Sequence, residues 1–357
     1  MKKQIQTALA GLAILALAGC ASGGDAGTNG GSDKLTMLFP VGSIIQYHPW
    51  YIAEEKGWFK EEGVNVALEI GDGSSGILQQ VISGNADAAL PSPGAVLTAV
   101  NSGHDLRMIY QYQYGNIFSL GVPASSDIKE PSQLAGTTIG VSEMSGGEVP
   151  LVRAVLRDAG VGIDSGGNSA HLLEVGAGGA LAIQSLQKGD VQSYSSNLFD
   201  LATMESQGIP MRNILPENIR SFPANGVVVT ADALKNNKDS LAAMQRAVAK
   251  ATKWAEENPE EAKAIAAKIA PEEFEDQKVA DAAWTVAVEL RTPSSPETLM
   301  GTPLRSGWDL FYEFLQQGDE MEGAVADNLN LDKLLDLSLL ESINSFSAPS
   351  AAAKETK

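Results

Sequence analysis

Residues 49–68, PWYIAEEKGWFKEEGVNVAL, carry the pattern on which the fold of this protein depends. Pro49 suits the first turn of a helix, and Gly57 suits the position just past its C-terminal end. From residue 64 to residue 70 apolar side chains alternate with polar or small ones, which is the period of a half-buried strand. The stretch therefore predicts a helix, with Trp58 and Phe59 packed on a sheet that contains the following strand.

The same alternation of strand and helix extends to both sides of this stretch. Helices are predicted to begin near Ser74 or Ser75, at Pro93 and near Glu148, and almost everything after Ala233 is predicted helical. This order predicts an α/β fold in which mostly parallel sheets are covered by helices. Two such units in series indicate two lobes with a crevice between them. Besides 64–70, the predicted strands are 34–39, 86–90, 106–114, 118–122, 171–175, 191–196 and 222–230.

Four segments resemble the sulfonate/nitrate/thiamine-pyrimidine class of solute-binding proteins of ABC importers. They are the stretch at 49–68, ILQQVISGNADAAL at 77–90, SDIKEPSQLAGTTIGV at 126–141 and WAEENPEEA at 254–262. The resemblance covers residues 34–345 and implies a bilobed type II periplasmic-binding-protein fold, whose lobes close on a solute about a hinge. It also implies delivery of that solute to the permease and ATPase of a cognate importer.

The resemblance and the order of elements together suggest domain boundaries. We expect a first lobe made of two chain segments, with C-terminal helices in the second segment, and a second lobe between them. A polar tether, ASGGDAGTNGGSD, precedes the lobes, and a disordered tail follows them. The expected ranges are 21–33 for the tether, 34–117 and 225–345 for the first lobe, 118–224 for the second lobe and 346–357 for the tail.

The first twenty residues resemble a bacterial lipoprotein signal peptide. Lys2 and Lys3 precede an apolar run at 8–18, which is short for a membrane span and typical of a secretory signal. The run ends in Leu-Ala-Gly-Cys, and Cys20 is the only cysteine of the chain. We expect acylation of Cys20 and a protein anchored by lipid to the outer face of the cell membrane. The alternative is a buried apolar helix that ends in a chance cysteine.

Composition excludes several other kinds of function. The formal net charge of −19 argues against nucleic acid and against a basic membrane-binding surface. With its single cysteine used for the anchor, the mature chain has no disulfide and no thiolate metal site. We therefore expect a monomer that binds a small molecule without cofactor or metal, and whose contact with the membrane is through the lipid alone.

Candidate ligand-binding residues lie where strands end, because open α/β sheets bind ligands beyond the carboxyl ends of their strands. Tyr51, Ile52, Trp58 and Phe59 are expected in the core instead. An ordinary packed loop is the alternative interpretation at each candidate position. The candidates are Gln46, Tyr47, His48 and Trp50 before the first helix, Asp72, Ser74, Ser75 and Ser92 at helix starts, Tyr112, Tyr114, Asn116 and Asn225 near the crossings, and Ser145, Gly146, Tyr194 and Asn197 in the second lobe.

The residue types of these segments indicate the class of solute. None of the loops carries Arg or Lys, whereas a tightly bound dianion normally requires a guanidinium group. Glu143 and Glu148 flank a helix start in the second lobe and weaken its attraction for anions. Aromatic rings are abundant and stack well on flat solutes. We expect a neutral or weakly basic ring compound such as a thiamine-precursor pyrimidine; the alternative is a sulfonate, nitrate or aromatic carboxylate.

Two other functional classes have less support from the sequence. A related fold makes the thiamine pyrimidine in fungi, but that branch is marked by a Cys-rich motif with a reactive Lys and His. Here His48, His104 and His171 show no spacing typical of a metal site or catalytic triad. A scaffold or adhesin would not require two α/β lobes. We therefore predict a binding protein and not an enzyme.

Overall fold

The computed structural model describes residues 34–144, 147–164, 166–293, 298–316 and 329–347. The predicted signal peptide and tether, the residues Ser145 and Gly146, and the tail beyond residue 347 lie outside the described residues. Within the described part of the chain, no helix is both long enough and apolar enough to cross a membrane.

Two β-sheets organise the described residues. The first contains β1 (Lys34–Phe39), β2 (Asn65–Ile70), β3 (Ala88–Ala89), β4 (Leu106–Gln111) and β11 (Gly226–Thr230), in the order β2-β1-β3-β11-β4. The second contains β5 (Phe118–Pro123), β6 (Thr138–Val141), β7 (Gly162–Ile163), β8 (Ser169–Glu174), β9 (Ser193–Asn197) and β10 (Met211–Asn213), in the order β10-β5-β9-β6-β8-β7.

Helices follow most of the strands and continue beyond the last one. They are α1 (Ile44–Glu55), α2 (Trp58–Glu61), α3 (Gly73–Ile82), α4 (Pro93–Asn101), α5 (Glu148–Asp158), α6 (Ala180–Lys188), α7 (Leu198–Ser206), α8 (Glu217–Arg220), α9 (Ala231–Asn236), α10 (Lys238–Glu257), α11 (Pro259–Ile269), α12 (Gln277–Arg291), α13 (Arg305–Gln316), α14 (Leu331–Leu334) and α15 (Leu340–Ile343). Short 3-10 helices occupy Pro131–Leu134 and Pro271–Phe274.

The strand directions confirm the predicted bilobed α/β architecture. In the first sheet β1 is parallel to β2 and β3, and β11 is antiparallel to β3 and β4. In the second, β6 is parallel to β8 and β9, and β5 is antiparallel to β9. The chain thus leaves the first sheet after β4, builds the second, and returns as β11. The exact lobe boundaries stay a prediction.

Apolar faces of helices cover the first sheet, as the periodicity predicts. Trp58 and Phe59 are 7% and 6% exposed, which confirms their predicted place in the core. The Trp58 ring meets Trp254 of α10 edge-on, with 6.0 Å between ring centroids. Burial of an aromatic side chain of this size stabilises the fold by several kcal/mol, about 25 cal/mol for each Å² removed from water. The helix–strand unit at 49–68 is therefore held to the C-terminal helices.

Helix α12 joins the first sheet's helices to those of the second. It packs on α1 on one side and on α7, which follows β9, on the other. At its N-terminal end the amide Nε2 of Gln207 lies 3.5 Å from the carboxylate of Asp276. Residues 271–276 therefore lie at the boundary between the two lobes.

Candidate functional site

The first helix begins at Ile44 and not at Pro49, so that part of the sequence prediction is wrong. Ser43 caps it, because the hydroxyl of Ser43 accepts a hydrogen bond from the Gln46 amide at 3.2 Å. Pro49 cannot donate to the carbonyl of Ile45, its usual helical partner. The Nδ1 atom of His48 fills this vacancy at 2.7 Å from the Ile45 oxygen. The candidates at 46–50 consequently lie in a helix, with a local break at residue 47.

Tyr47 and Trp50 point into the core beneath α1. Their side chains are 1% and 0% exposed, and both rings pack on Phe39 of β1 and near Tyr112. Burial raises the pKa of Tyr47 above its ordinary value. Neither the Tyr47 hydroxyl nor the Trp50 indole nitrogen has a hydrogen-bond partner among the described residues. The faces of both rings are thus packed within the first lobe, while their two polar atoms are buried without a described partner.

His48 is fixed by a buried cation that the sequence did not indicate. Its Nε2 atom accepts a hydrogen bond from Arg291 at 2.8 Å, and its ring stacks on Trp284 with 3.9 Å between centroids. Burial, followed by the Arg291 charge, holds the pKa of His48 well below its ordinary value, so the imidazole is neutral. Arg291 also donates to the carbonyl oxygen of Gln46 at 3.0 Å. This arrangement locks α12 to α1.

The candidates at the next two helix starts differ in exposure. Asp72 and Ser75 are exposed, and α3 begins at Gly73 with Asp72 at its N-cap but without a side-chain capping bond. The helix therefore begins next to the predicted start at Ser74 or Ser75, but neither serine caps it. Instead, the Ser74 hydroxyl accepts a hydrogen bond from the Ser92 amide at 3.0 Å, which brings the starts of α3 and α4 together.

Near the crossings, the candidates Tyr112, Tyr114, Asn116 and Asn225 hold the chain together. Strand β4 ends at Gln111, before the predicted 114, because the following amides donate to carbonyls of other segments. The Tyr112 hydroxyl donates to the Gln46 carbonyl at 3.2 Å, and the Tyr114 hydroxyl accepts from the amide of residue 301 at 2.7 Å. The amide groups of Asn116 and Asn225 donate to backbone oxygens at 3.2 and 2.8 Å. Their side chains therefore have structural partners.

Tyr114 and Asn116 also line a cleft beside these crossings. Its volume is about 510 Å³, and its walls come from α7 of the second lobe and α12 of the first. The walls combine apolar side chains with the charged side chains of Glu205, Arg220 and Glu289. The lining includes Leu198, Leu201, Ala202, Glu205, Arg220, Val286, Glu289 and Leu290.

In the second lobe, Tyr194 and Asn197 are gathered around a carboxylate that sequence reasoning missed. Asn197 caps α7 by accepting a hydrogen bond from the Asp200 amide at 2.9 Å, and its own amide donates to the Asp200 carboxylate at 3.2 Å. The Ser196 hydroxyl donates to the same carboxylate oxygen. Burial is the main cause that raises the pKa of Asp200 above its usual range. The available signal was Asn197 followed three residues later by an aspartate, just after the strand predicted at 191–196.

A second carboxylate of this lobe lies at the start of α5. Glu148 is 3% exposed, and its carboxylate accepts hydrogen bonds from the amide of Ser142, at 3.1 Å, and from the Ser142 hydroxyl. The charges of Asp200 and Glu148 both contribute, after burial, to the raised pKa of the buried Tyr194 phenol. The two carboxylates therefore share the environment of Tyr194. Among the described residues, neither forms an ion pair with Lys or Arg.

A glycine-rich turn before α6 lies close against this cluster. A Cβ atom at Gly178 would come within 2.5 Å of the Asp200 carbonyl oxygen, so only glycine fits there without movement. The Tyr194 hydroxyl donates to the carbonyl of Gly176 at 2.9 Å. The turn at 176–179 is thus held directly on the first turn of α7.

Two groups can be distinguished among the candidates, besides those at the starts of α3 and α4 and those that line the cleft. The first, around Trp50 and Tyr112, is buried and engaged within the first lobe, whereas the second surrounds Asp200 at the carboxyl edge of the second sheet. Contact of any candidate with a ligand stays a prediction. No group of His, Cys, Asp and Glu suited to a metal ion occurs among the described residues.

Comparison with known proteins identifies the family. The family described as NMT1/THI5 like matches residues 44–262, which is more than half of the chain. The chain belongs to this family. Its relatives include the formylaminopyrimidine-binding protein of Halalkalibacterium halodurans, 25% identical over 258 residues that cover 70% of this chain and 74% of the relative.

Solved structures share the fold of this NMT1/THI5-like chain. The periplasmic aliphatic sulphonate binding protein SsuA from Escherichia coli superposes with a TM-score of 0.60 at 14% identity, covering 82% of this chain and 94% of its own. The desulfurization enzyme DSZB superposes with a TM-score of 0.55 at 15% identity, covering 87% and 99%. At these identities the likeness concerns the fold alone.

Proposed function

We propose that this protein is the extracytoplasmic solute-binding component of an ABC importer, and that it captures a nitrogen-containing aromatic ring between its two lobes. The observation that carries the proposal is the pair of half-buried and buried carboxylates, Asp200 and Glu148, beside Tyr194 at the carboxyl edge of the second sheet. The partners of the protein are then a permease and its ATPase.

These carboxylates favour the binding of solutes that carry hydrogen-bond donors or positive charge over the binding of anions. Each ionised carboxylate has about four acceptor positions, and the hydrogen bonds described here leave part of that capacity free. Because no described Lys or Arg forms an ion pair with Asp200 or Glu148, a second negative charge beside them would be repelled. Ring N–H and amino groups, as in an aminopyrimidine, supply the missing donors.

Exposed apolar side chains supply surface for the faces of a flat ring. Val41 and Ile70, at the carboxyl ends of β1 and β2, are 51% and 59% exposed. Met144, which follows β6 in the second lobe, is 45% exposed. Large apolar side chains left in water at the ligand-binding edges of both sheets are typical of a binding surface. The formylaminopyrimidine-binding relative supports the same class of solute.

A panel of solutes tests the proposal directly. Calorimetric titration with aminopyrimidines, aromatic carboxylates and alkanesulfonates should give binding for aminopyrimidines, and Asp200→Asn should weaken it by about tenfold or more, as for a hydrogen bond to a charged group. Asp190→Asn, an exposed carboxylate of the same lobe, is the matched control. Preference of the wild type for sulfonates, or unchanged affinity in Asp200→Asn, would contradict the proposed ligand class. Chemical conversion of the bound pyrimidine would favour an enzyme instead.

The location is tested separately. If Cys20 is acylated, the full-length protein should sediment with membranes, and Cys20→Ser should accumulate as an unprocessed precursor. Efficient secretion of the unlipidated wild-type protein would contradict the lipid anchor.

A further inference from the structure

A carboxylate from the C-terminal half of the chain occupies the N-terminal end of α1. Glu273, in the 3-10 helix Pro271–Phe274, accepts hydrogen bonds from the amides of Ile44 at 2.7 Å and Ile45 at 2.9 Å, one on each carboxylate oxygen. The hydroxyl of Ser43 donates to it at 3.2 Å. Glu273 lies 229 residues after Ile44 in the sequence.

This geometry is the one by which helices bind anions. The first amides of a helix have no partner within the helix and carry a partial positive charge, so they attract sulfate, phosphate or carboxylate groups. Here the amides of Ile44 and Ile45 donate to the two carboxylate oxygens of Glu273, so a group of the protein itself occupies the position of the anion. No described Lys or Arg pairs with Glu273, so the helix end is its only described positive partner.

The position of Glu273 relates it to the crevice. Helix α1 follows β1 at the carboxyl edge of the first sheet, beyond which ligands bind in open α/β folds. The exposed Val41 lies just before the capping Ser43. Asp276, three residues after Glu273, meets Gln207 of the second lobe. The short segment that carries Glu273 therefore contacts the start of α1 in the first lobe and the C-terminal end of α7 in the second.

We propose that Glu273 is a specificity-determining residue, an internal carboxylate that fills the anion-binding end of α1 and so excludes sulfonates and carboxylates from this side of the crevice. The proposal rests on the proposed solute-binding function of the crevice. A free anion would have to displace a tethered group that is already placed on the same donors, which requires a high concentration of the competitor. It would also meet the negative charge of the displaced side chain.

Removal of the carboxylate tests the proposal. The variants are Glu273→Ala, Glu273→Gln and, as the matched control, Glu272→Ala, which removes an exposed carboxylate from the same 3-10 helix. Methanesulfonate and benzenesulfonate are titrated calorimetrically, and a thermal melt without ligand shows which variants are folded. We expect sulfonate affinity in Glu273→Ala to rise at least tenfold over the wild type, with Glu272→Ala unchanged. Glu273→Gln keeps the shape of the side chain and should give a smaller gain.

Each outcome decides the proposal. If Glu273→Ala is folded and binds sulfonates no more tightly than the wild type, the proposal is overturned. If Glu273→Ala does not fold, the same result for Glu273→Gln overturns it. A similar gain in Glu272→Ala would also overturn it, because the effect would then come from net charge alone. Aminopyrimidine binding to the wild type is measured in parallel. Its absence would contradict the proposed function, whereas a sulfonate gain confined to Glu273 variants would still support the role of this residue.

Discussion

Trp50→Ala should destabilise the fold strongly and leave ligand affinity little changed. The side chain is 0% exposed and packs on Phe39, with 5.5 Å between ring centroids, and near Tyr112. A buried tryptophan removes about 150–250 Å² from water, worth about 4–6 kcal/mol at 25 cal/mol/Å². Since alanine keeps the Cβ atom and the core relaxes in part, we expect a loss of about 3–5 kcal/mol in the free energy of unfolding.

The unpaired indole nitrogen refines this expectation. Because Nε1 of Trp50 has no described hydrogen-bond partner, Trp50→Phe loses volume but no hydrogen bond. Its cost should therefore be clearly smaller than that of Trp50→Ala. Denaturant unfolding followed by circular dichroism measures both variants, and solute titration at a temperature where they are folded measures affinity. If Trp50→Ala unfolds like the wild type but binds solute poorly, the ring belongs to the crevice and the packing argument is wrong.

Three further expectations concern pH, the glycine turn and closure. Burial and Arg291 lower the pKa of His48, so the unfolded chain takes up a proton there as pH falls below about 6.5 while the folded chain does not. Stability should therefore decline below this pH, and His48→Gln should flatten the decline in denaturant midpoints measured from pH 7 to 5. Gly178→Ala should cost about 1–3 kcal/mol, since its Cβ meets the backbone of Asp200, whereas Gly167→Ala, with no neighbour within 4 Å, should be nearly neutral in thermal melts. Saturating solute should reduce the radius of gyration in X-ray scattering, and an unchanged profile would contradict hinge closure.

Sequence periodicity was sufficient for the framework because it records local burial. The alternation at 64–70 predicted a strand, and β2 occupies Asn65–Ile70. Trp58 and Phe59 were expected in the core and are buried there. The same reasoning failed at Pro49, since a proline is normally read as a helix start. The helix nevertheless continues through Pro49. The Nδ1 atom of His48 hydrogen-bonds the carbonyl oxygen of Ile45, to which Pro49 has no N–H to donate.

By itself, the sequence determined the α/β order, the family resemblance and the residue types at the strand ends. Only the tertiary structure decided which of those residues meet, because their partners are far along the chain. Arg291 reaches His48 across 243 residues, and Glu273 reaches Ile44 across 229. A hydrogen bond between such distant positions does not change the hydrophobic periodicity of either segment. Each residue, considered alone, is therefore compatible with an exposed loop or helix. Folding of the first lobe from two separate chain segments brings them together and places a cation beneath α1 and a carboxylate at its start.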